Sequence, residues 1–256
     1  MSPARERWSA RALGLGTIAA VLLAWEVVGR LGWLNPVLAP RPTLIAETLF
    51  EIAGSGEAAD PLLHTIALFA TGYGIACLIG IALGLAMGMS QALYGLMEPL
   101  VELIRPIPKP ALVPAFFLFL GIGQVTMVTV VVLAAVFPVL VNTLQGVRGL
   151  DPTLLDTART FRISRWRTIR SIVIPGALPM ILVGMRVALG LGLVLAILAE
   201  MLAGETGLGF RILDLQRSFQ IREMFAWVFI LAALGFGLTL VFDAADRRLV
   251  PWRGRI

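Results

Sequence analysis

The chain has 256 residues, 58% of them hydrophobic and 14% charged, with a formal net charge of +5. Soluble domains carry about 25% charged residues, so this composition excludes an ordinary soluble domain and points to an integral membrane protein with several helical spans. A single cysteine (Cys77) excludes a disulfide framework, a single histidine (His64) excludes a histidine-rich metal site, and arginines gathered at span ends assign the positive charge to membrane topology rather than to nucleic acid.

The opening residues, MSPARERWSARALGLGTIAAVLLAW, set a basic flank before an apolar run, which is also the form of a signal peptide. No A-x-A site follows and Glu26 and Arg30 come next, so the expectation is an uncleaved first span over 12–29. Residues 31–60 hold prolines and charges and are too polar to span. They predict an external segment with a short amphipathic helix near 43–52, N-capped by Thr43. The second span lies within 62–89. Its Gly80, Gly84 and Gly88 recur every four residues, which stacks them on one helix face and lets a neighbouring backbone approach closely. His64, which precedes this span at the outer interface, reads as an interfacial polar residue rather than a ligand.

Residues 110–147 are uncharged and exceed the roughly 20 residues that one crossing needs. The break falls at Gly121-Ile122-Gly123-Gln124, giving a third span over 98–120 and a fourth over 125–145. Prolines 106, 108, 110 and 114 remove backbone donors at the start of the third. Irregular backbone at membrane depth is tolerated where it is buried in protein or lines a cavity. Arg105 and Lys109 beside these prolines either attract an anionic solute or snorkel to the headgroups; both roles stay open. Asn142 and Thr143, late in the fourth span, are expected to bond across helices.

Residues 151–175, DPTLLDTARTFRISRWRTIRSIVIP, form a polar island between apolar blocks, with Asp151, Asp156 and five arginines. Asp151-Pro152 reads as an N-cap followed by a first-turn proline. Leu154, Ala158 and Phe161 share one apolar face. Ser164 caps a second helix, whose Trp166, Ile169 and Val173 repeat the pattern, and Pro175 interrupts before a fifth span over 178–202. A sixth covers 224–242. Glu200, near the outer end of the fifth, is expected to pair with Arg217 or Arg222 or to act at an outer gate, since an acid there is costly unless paired or wet. Arg186 is expected to snorkel or pair. Six spans put both termini and the 146–175 loop inside, with 13 of the 21 basic residues, against five outside. The chain divides into an N-terminal span with its external segment (1–60), a core (61–250) and a cytoplasmic tail (251–256).

The island resembles the cytoplasmic "EAA" motif of ABC importer permeases, in the order Asp156-Thr157-Ala158, Arg162, Ile169, Ile172 and Ile174-Pro175. RPIPKPALVPAFFLFLGIG (105–123), FPVLVNTLQGVRGLDP (137–152), GMRVALGLG (184–192), LAEML (198–202) and RRLVPW (247–252) are similar to the nitrate/sulfonate/taurine branch of that family. The resemblance implies an all-α integral membrane protein of six transmembrane helices, with a type I importer core of about five and a cytoplasmic coupling helix. It implies docking of two separate ATP-binding cassette ATPases on the loop, through Asp156, Thr157, Ala158, Arg159, Phe161, Arg162, Ser164, Trp166 and Pro175. It further implies a second permease copy, a periplasmic solute-binding protein on the 204–223 loop, and residence in a bacterial inner membrane. ATP and Mg would be bound by the partner ATPase, with no cofactor in this chain. The implied solute is a small anion such as an aliphatic sulfonate, taurine or nitrate, with a pyrimidine- or riboflavin-type vitamin as the alternative; the residues' own chemistry puts Arg105, Lys109, Asn142 and Glu200 forward for its path. Two departures stand out: Asp156 replaces Glu, and Arg162 stands where the family has Gly. A glycine serving a left-handed turn would leave Arg with a cost of about 1–2 kcal/mol; one serving close approach would force the arginine aside. The chain has no P-loop, nucleophile elbow or zinc pattern. A stand-alone secondary transporter would call for intramembrane acid relays or inverted repeats, and a membrane enzyme for a catalytic cluster.

Overall fold

Long apolar runs in a chain that must satisfy its backbone internally form helices, because lipid offers no hydrogen-bond partner. The computed structural model describes residues 3–251, without the side chains of residues 3–12 and Leu15. The side chains of Arg5, Arg7 and Arg11, and residues 252–256 with Trp252, Arg253 and Arg255, lie outside the described residues. Every regular element among the described residues is helical: α1 (Pro3–Arg30), α2 (Pro42–Ser55), α3 (Ala59–Met89), α4 (Gln91–Ile104), α5 (Lys109–Leu120), α6 (Gln124–Arg148), α7 (Pro152–Thr160), α8 (Arg165–Thr168), α9 (Ile174–Ala203), α10 (Leu208–Arg217) and α11 (Ile221–Leu249).

Four stretches among the described residues are long and apolar enough to cross a membrane, in α3, α6, α8 to α9, and α11. The predicted third span is not one straight helix. It is the pair α4 and α5, bent by 95° at a short break, and counting it as one crossing gives five. The bend lies where Pro106 and Pro108 withhold backbone donors, and α5 alone, at about 18 Å, is too short to cross. The glycine break before α6 falls as predicted, with Gly121 at φ +79° and Gly123 at φ +159°. Residues 12–29, the expected first span, are helical within α1, which is not among these stretches, so the count among the described residues is five where six were expected.

The chain divides into two compact units: residues up to Asp60 with Arg211–Ala232, and Pro61–Phe210 with the residues from Ala233 on. In the first, α2 begins differently from the sequence expectation. Arg41 occupies the N-cap and Pro42 the first turn, while Thr43 sits inside the helix. The Thr43 hydroxyl donates instead to Glu26 Oε1 at 3.1 Å, and its N–H donates to Glu26 Oε2 at 3.1 Å. Arg222 binds α2 as well, donating to Leu44 O at 3.1 Å and Thr48 Oγ1 at 2.5 Å.

In the second unit α6 is the central helix, and glycines on two neighbours bring their backbones against it. A Cβ built on Gly72, Gly80, Gly84 or Gly88 of α3 would lie 2.6–2.8 Å from Val131, Val139, Thr143 or Val147 of α6. The constant register makes α3 and α6 parallel, and the predicted glycine stripe is the contact line, longer by Gly72. On the other side Gly184 of α9 faces Asn142 and Pro138, and Gly146 of α6 faces Met180 and Ala177, so α9 runs antiparallel to α6. Val131, Val139 and Ala135 are completely buried between them. Arg186 of α9 pairs with Asp243 and, at 3.8 Å, with Asp246 of α11, the pairing alternative of the expectation.

Candidate functional site: the α7–α8 segment and the broken span

The α7–α8 segment folds from its own caps. Asp151 accepts the Thr153 N–H at 2.9 Å and Pro152 opens α7. Hydrogen bonds from the Thr153 side chain and N–H hold the Asp151 carboxyl below its ordinary range. Ser164 accepts the Arg167 N–H and starts α8. α7 ends in a Schellman turn: Ile163 N donates to Ala158 O at 2.9 Å and Arg162 N to Arg159 O at 2.9 Å. The turn requires a left-handed residue, and Arg162 supplies it at φ +51°.

Pro175 does not interrupt before the fifth span. A π turn, Ile169–Val173, joins α8 to α9 and leaves room for the Pro175 ring, so Arg165–Ala203 runs on without a break. The apolar residues of α7 also part company. Ala158 turns inward at 2% exposure, and Leu155 packs with Val147, Val173, Ala177 and Ile181. Leu154, Phe161 and Trp166 stay 49%, 75% and 70% exposed. Ala158 thus supports α7 from beneath, and Phe161 and Trp166 face outward among the arginines. Asp156, also exposed, pairs with Arg159 at 2.9 Å.

Arg105, Lys109 and Asn142 come together around a cavity of about 390 Å³ also lined by Phe137, Val141 and Leu191. Arg105 pairs with Glu102 at 3.1 Å and stays half exposed. The Lys109 ammonium donates to Ile104 O, Arg105 O and Ile107 O at 2.6, 3.2 and 3.0 Å and lies 4.7 Å from the Phe137 ring centre. It therefore neutralises the carbonyl end of α4 and fastens the bend. Asn142 and Thr143 do not bond across helices. The Asn142 amide donates to Pro138 O of its own helix at 2.8 Å, and Thr143 Oγ1 is buried without a partner among the described residues.

Glu200 pairs with neither Arg217 nor Arg222. It is completely buried, and Thr65, His64 and the Gly209 N–H surround its carboxylate. Enclosed in this way, it does not line the cavity. Nothing in the sequence flagged Thr65, because its contacts are separated by more than 130 residues.

Residues 76–255 match the family model described as "Binding-protein-dependent transport system inner membrane component". The chain belongs to this family. It is the permease subunit of an ABC importer, a multi-pass membrane protein. The permease is 33% identical to the taurine transport system permease protein TauC of Escherichia coli K12, over 95% of this chain and 90% of that protein. It is 31% identical to the putative aliphatic sulfonates transport permease protein SsuC of Bacillus subtilis 168, over 94% and 87%. The nitrate import permease protein NrtB of Synechocystis is 26% identical over 91% and 87%. Among solved structures, the MetNI methionine ABC transporter in an inward-facing form superposes with a TM-score of 0.60 at 17% identity, over 74% of the permease and 96% of that chain. An amino acid ABC transporter crystallised with histidines gives 0.57 at 21%, over 77% and 92%. These two share the fold.

Proposed function

We propose that the permease forms half of a translocation path for a small anionic solute, with an aliphatic sulfonate, taurine or nitrate as the candidates. The permeases named for those solutes match along nearly the whole chain. Two copies form the path, both termini face the cytoplasm, a solute-binding protein docks on the 204–223 loop, and two ATPase subunits that bind ATP and Mg dock on α7 and α8. The observation that carries the coupling role is the exposure of Phe161 and Trp166 on a segment that caps its own helices. Large aromatics beside arginines on a rigid turn are the residue types that dominate protein interfaces. Asp156, Thr157 and Arg159 flank them, while Ala158, Arg162, Ser164 and Pro175 shape the segment.

The cavity at the broken span supplies the solute chemistry. Its lining among the described residues carries two cations and no carboxylate. Arg105 can exchange Glu102 for a solute oxyanion at small cost, because a half-exposed ion pair contributes roughly 1 kcal/mol or less. Lys109 contributes a fixed positive potential and Asn142 a polar wall. Uptake into proteoliposomes holding the permease, its ATPase and its binding protein tests the proposal. ATP-dependent accumulation of labelled taurine, alkanesulfonate or nitrate is expected; accumulation of none of the three overturns the solute assignment.

A further inference from the structure

Glu200 is the one acidic residue among the described residues with no surface at all, and the transport path proposed above does not use it. Three separated segments converge on its carboxylate. From α3, the Thr65 hydroxyl lies 2.9 Å from both carboxylate oxygens and His64 Nδ1 lies 3.1 Å from Oε1. From the first turn of α10, the Gly209 N–H donates to Oε2 at 3.0 Å. The Leu208 N–H donates to Thr65 Oγ1 at 2.9 Å. Since that hydroxyl accepts from Leu208, its own proton is directed to Glu200.

This arrangement solves a specific problem. The first N–H groups of a helix have no intrahelical partner, and in a buried site they must be met by side chains. Here a hydroxyl from α3 and a carboxylate from α9 meet those of Leu208 and Gly209. The Gly209 N–H and the Thr65 hydroxyl proton are donors that need an acceptor at position 200, and the carboxylate supplies it. The space is as tight as the bonding. A Cβ on Gly207 would run into the Glu200 carboxylate, and one on Gly209 into Ile197 O.

We propose that Glu200, Thr65 and His64 are positioning residues that bolt the first turn of α10 to α3 and α9, and that this node stays closed in both access states. Opening it would strand a buried carboxylate and two backbone donors in a site without replacements. The ion pair at the α4–α5 bend, Arg105 with Glu102, is half exposed and rearranges at far lower cost. Alternation between access states then occurs around the broken span, while Leu208 and Gly209 move together with the α3 and α9 residues that hold them. This inference rests on the ATPase coupling proposed above.

Hydrogen exchange at the Leu208 and Gly209 amides tests it, in the permease purified with its ATPase, both nucleotide-free and trapped with ATP and vanadate. The expected result is slow exchange in both states, at least about tenfold faster exchange in Thr65→Val and Glu200→Leu, and recovery in Thr65→Ser. The serine rescue separates the hydroxyl bridge from simple packing at that position. Loss of protection in either state of the wild type, or unchanged exchange in Thr65→Val, overturns the proposal. If no ATPase accompanies the permease, the proposed coupling role fails by that result. The nucleotide-free comparison of wild type, Thr65→Val and Thr65→Ser then still decides whether the node holds α10.

Discussion

Arg162 lies at φ +51° in the residue position that closes the Schellman turn of α7. A side chain with a Cβ strains there, and the strain is intrinsic to the backbone rather than to any contact. Arg162→Gly is expected to stabilise the solubilised permease by about 1 kcal/mol, since the left-handed conformation costs an L-residue about 1–2 kcal/mol. Thermal melting in detergent checks this, and a large loss of transport in the variant would show that the arginine itself touches the ATPase. The two possible reasons for a glycine at this position were both apparent in the sequence, but only the backbone geometry selects the turn. Local chemistry was legible in the same way at Asp151 and Ser164, whose caps act within three residues. Glu200 was not legible. Its partners are Thr65 and Gly209, and no spacing rule connects residue 65 to residue 200.

Among the elements, the α3 glycines show what four-residue spacing can and cannot reveal. The stripe at Gly80, Gly84 and Gly88 was readable, yet the helix it meets, and the register against Val139, Thr143 and Val147, depend on tertiary packing. Gly84→Ala is expected to destabilise the permease by roughly 1–3 kcal/mol, the usual cost of overpacking. The new methyl would meet Thr143 Cβ at 2.6 Å and Leu140 O at 2.8 Å, and backbone cannot retreat as a side chain can. Melting of Gly84→Ala alone and with Thr143→Ala checks the cause. The double variant recovers only part of the loss, because Leu140 O remains. The broken span separates its two cations by role. Arg105→Gln is expected to raise the KM for the solute about tenfold or more with the melting temperature little changed, as loss of a charge-assisted hydrogen bond would do. Lys109→Gln instead lowers the melting temperature, because the carbonyls of Ile104 and Arg105 at the end of α4 and of Ile107 in the bend lose their donor. Equal effects of the two substitutions on KM and melting would contradict this division. The prolines announced a break but not its angle, because the 95° turn depends on how Lys109 and Phe137 hold it. Pro175 misled for a related reason. A proline ends a regular α-helix, but the π turn ahead of it changes the hydrogen-bond pattern and lets the chain continue.

For the whole permease, apolar length carried the membrane fold, because lipid leaves a chain few alternatives. Association between helices and with partners follows surface detail that periodicity does not resolve. Leu154, Ala158 and Phe161 share a helix face by spacing, yet Ala158 is buried and Phe161 is exposed, since Val173 and Ala177 cover only part of α7. The buried Ala158 is therefore a poor probe of docking, and a large residue there would displace α7 from its support. Phe161 and Trp166 are the direct probes. The decisive measurement is co-purification of the ATPase with the permease from its native membrane, comparing the wild type with Phe161→Glu/Trp166→Glu. The wild type is expected to retain the ATPase, and the double variant, with an unchanged melting temperature, to lose it. A folded double variant that keeps the ATPase, or a wild type that retains none, would contradict the coupling role of α7 and α8.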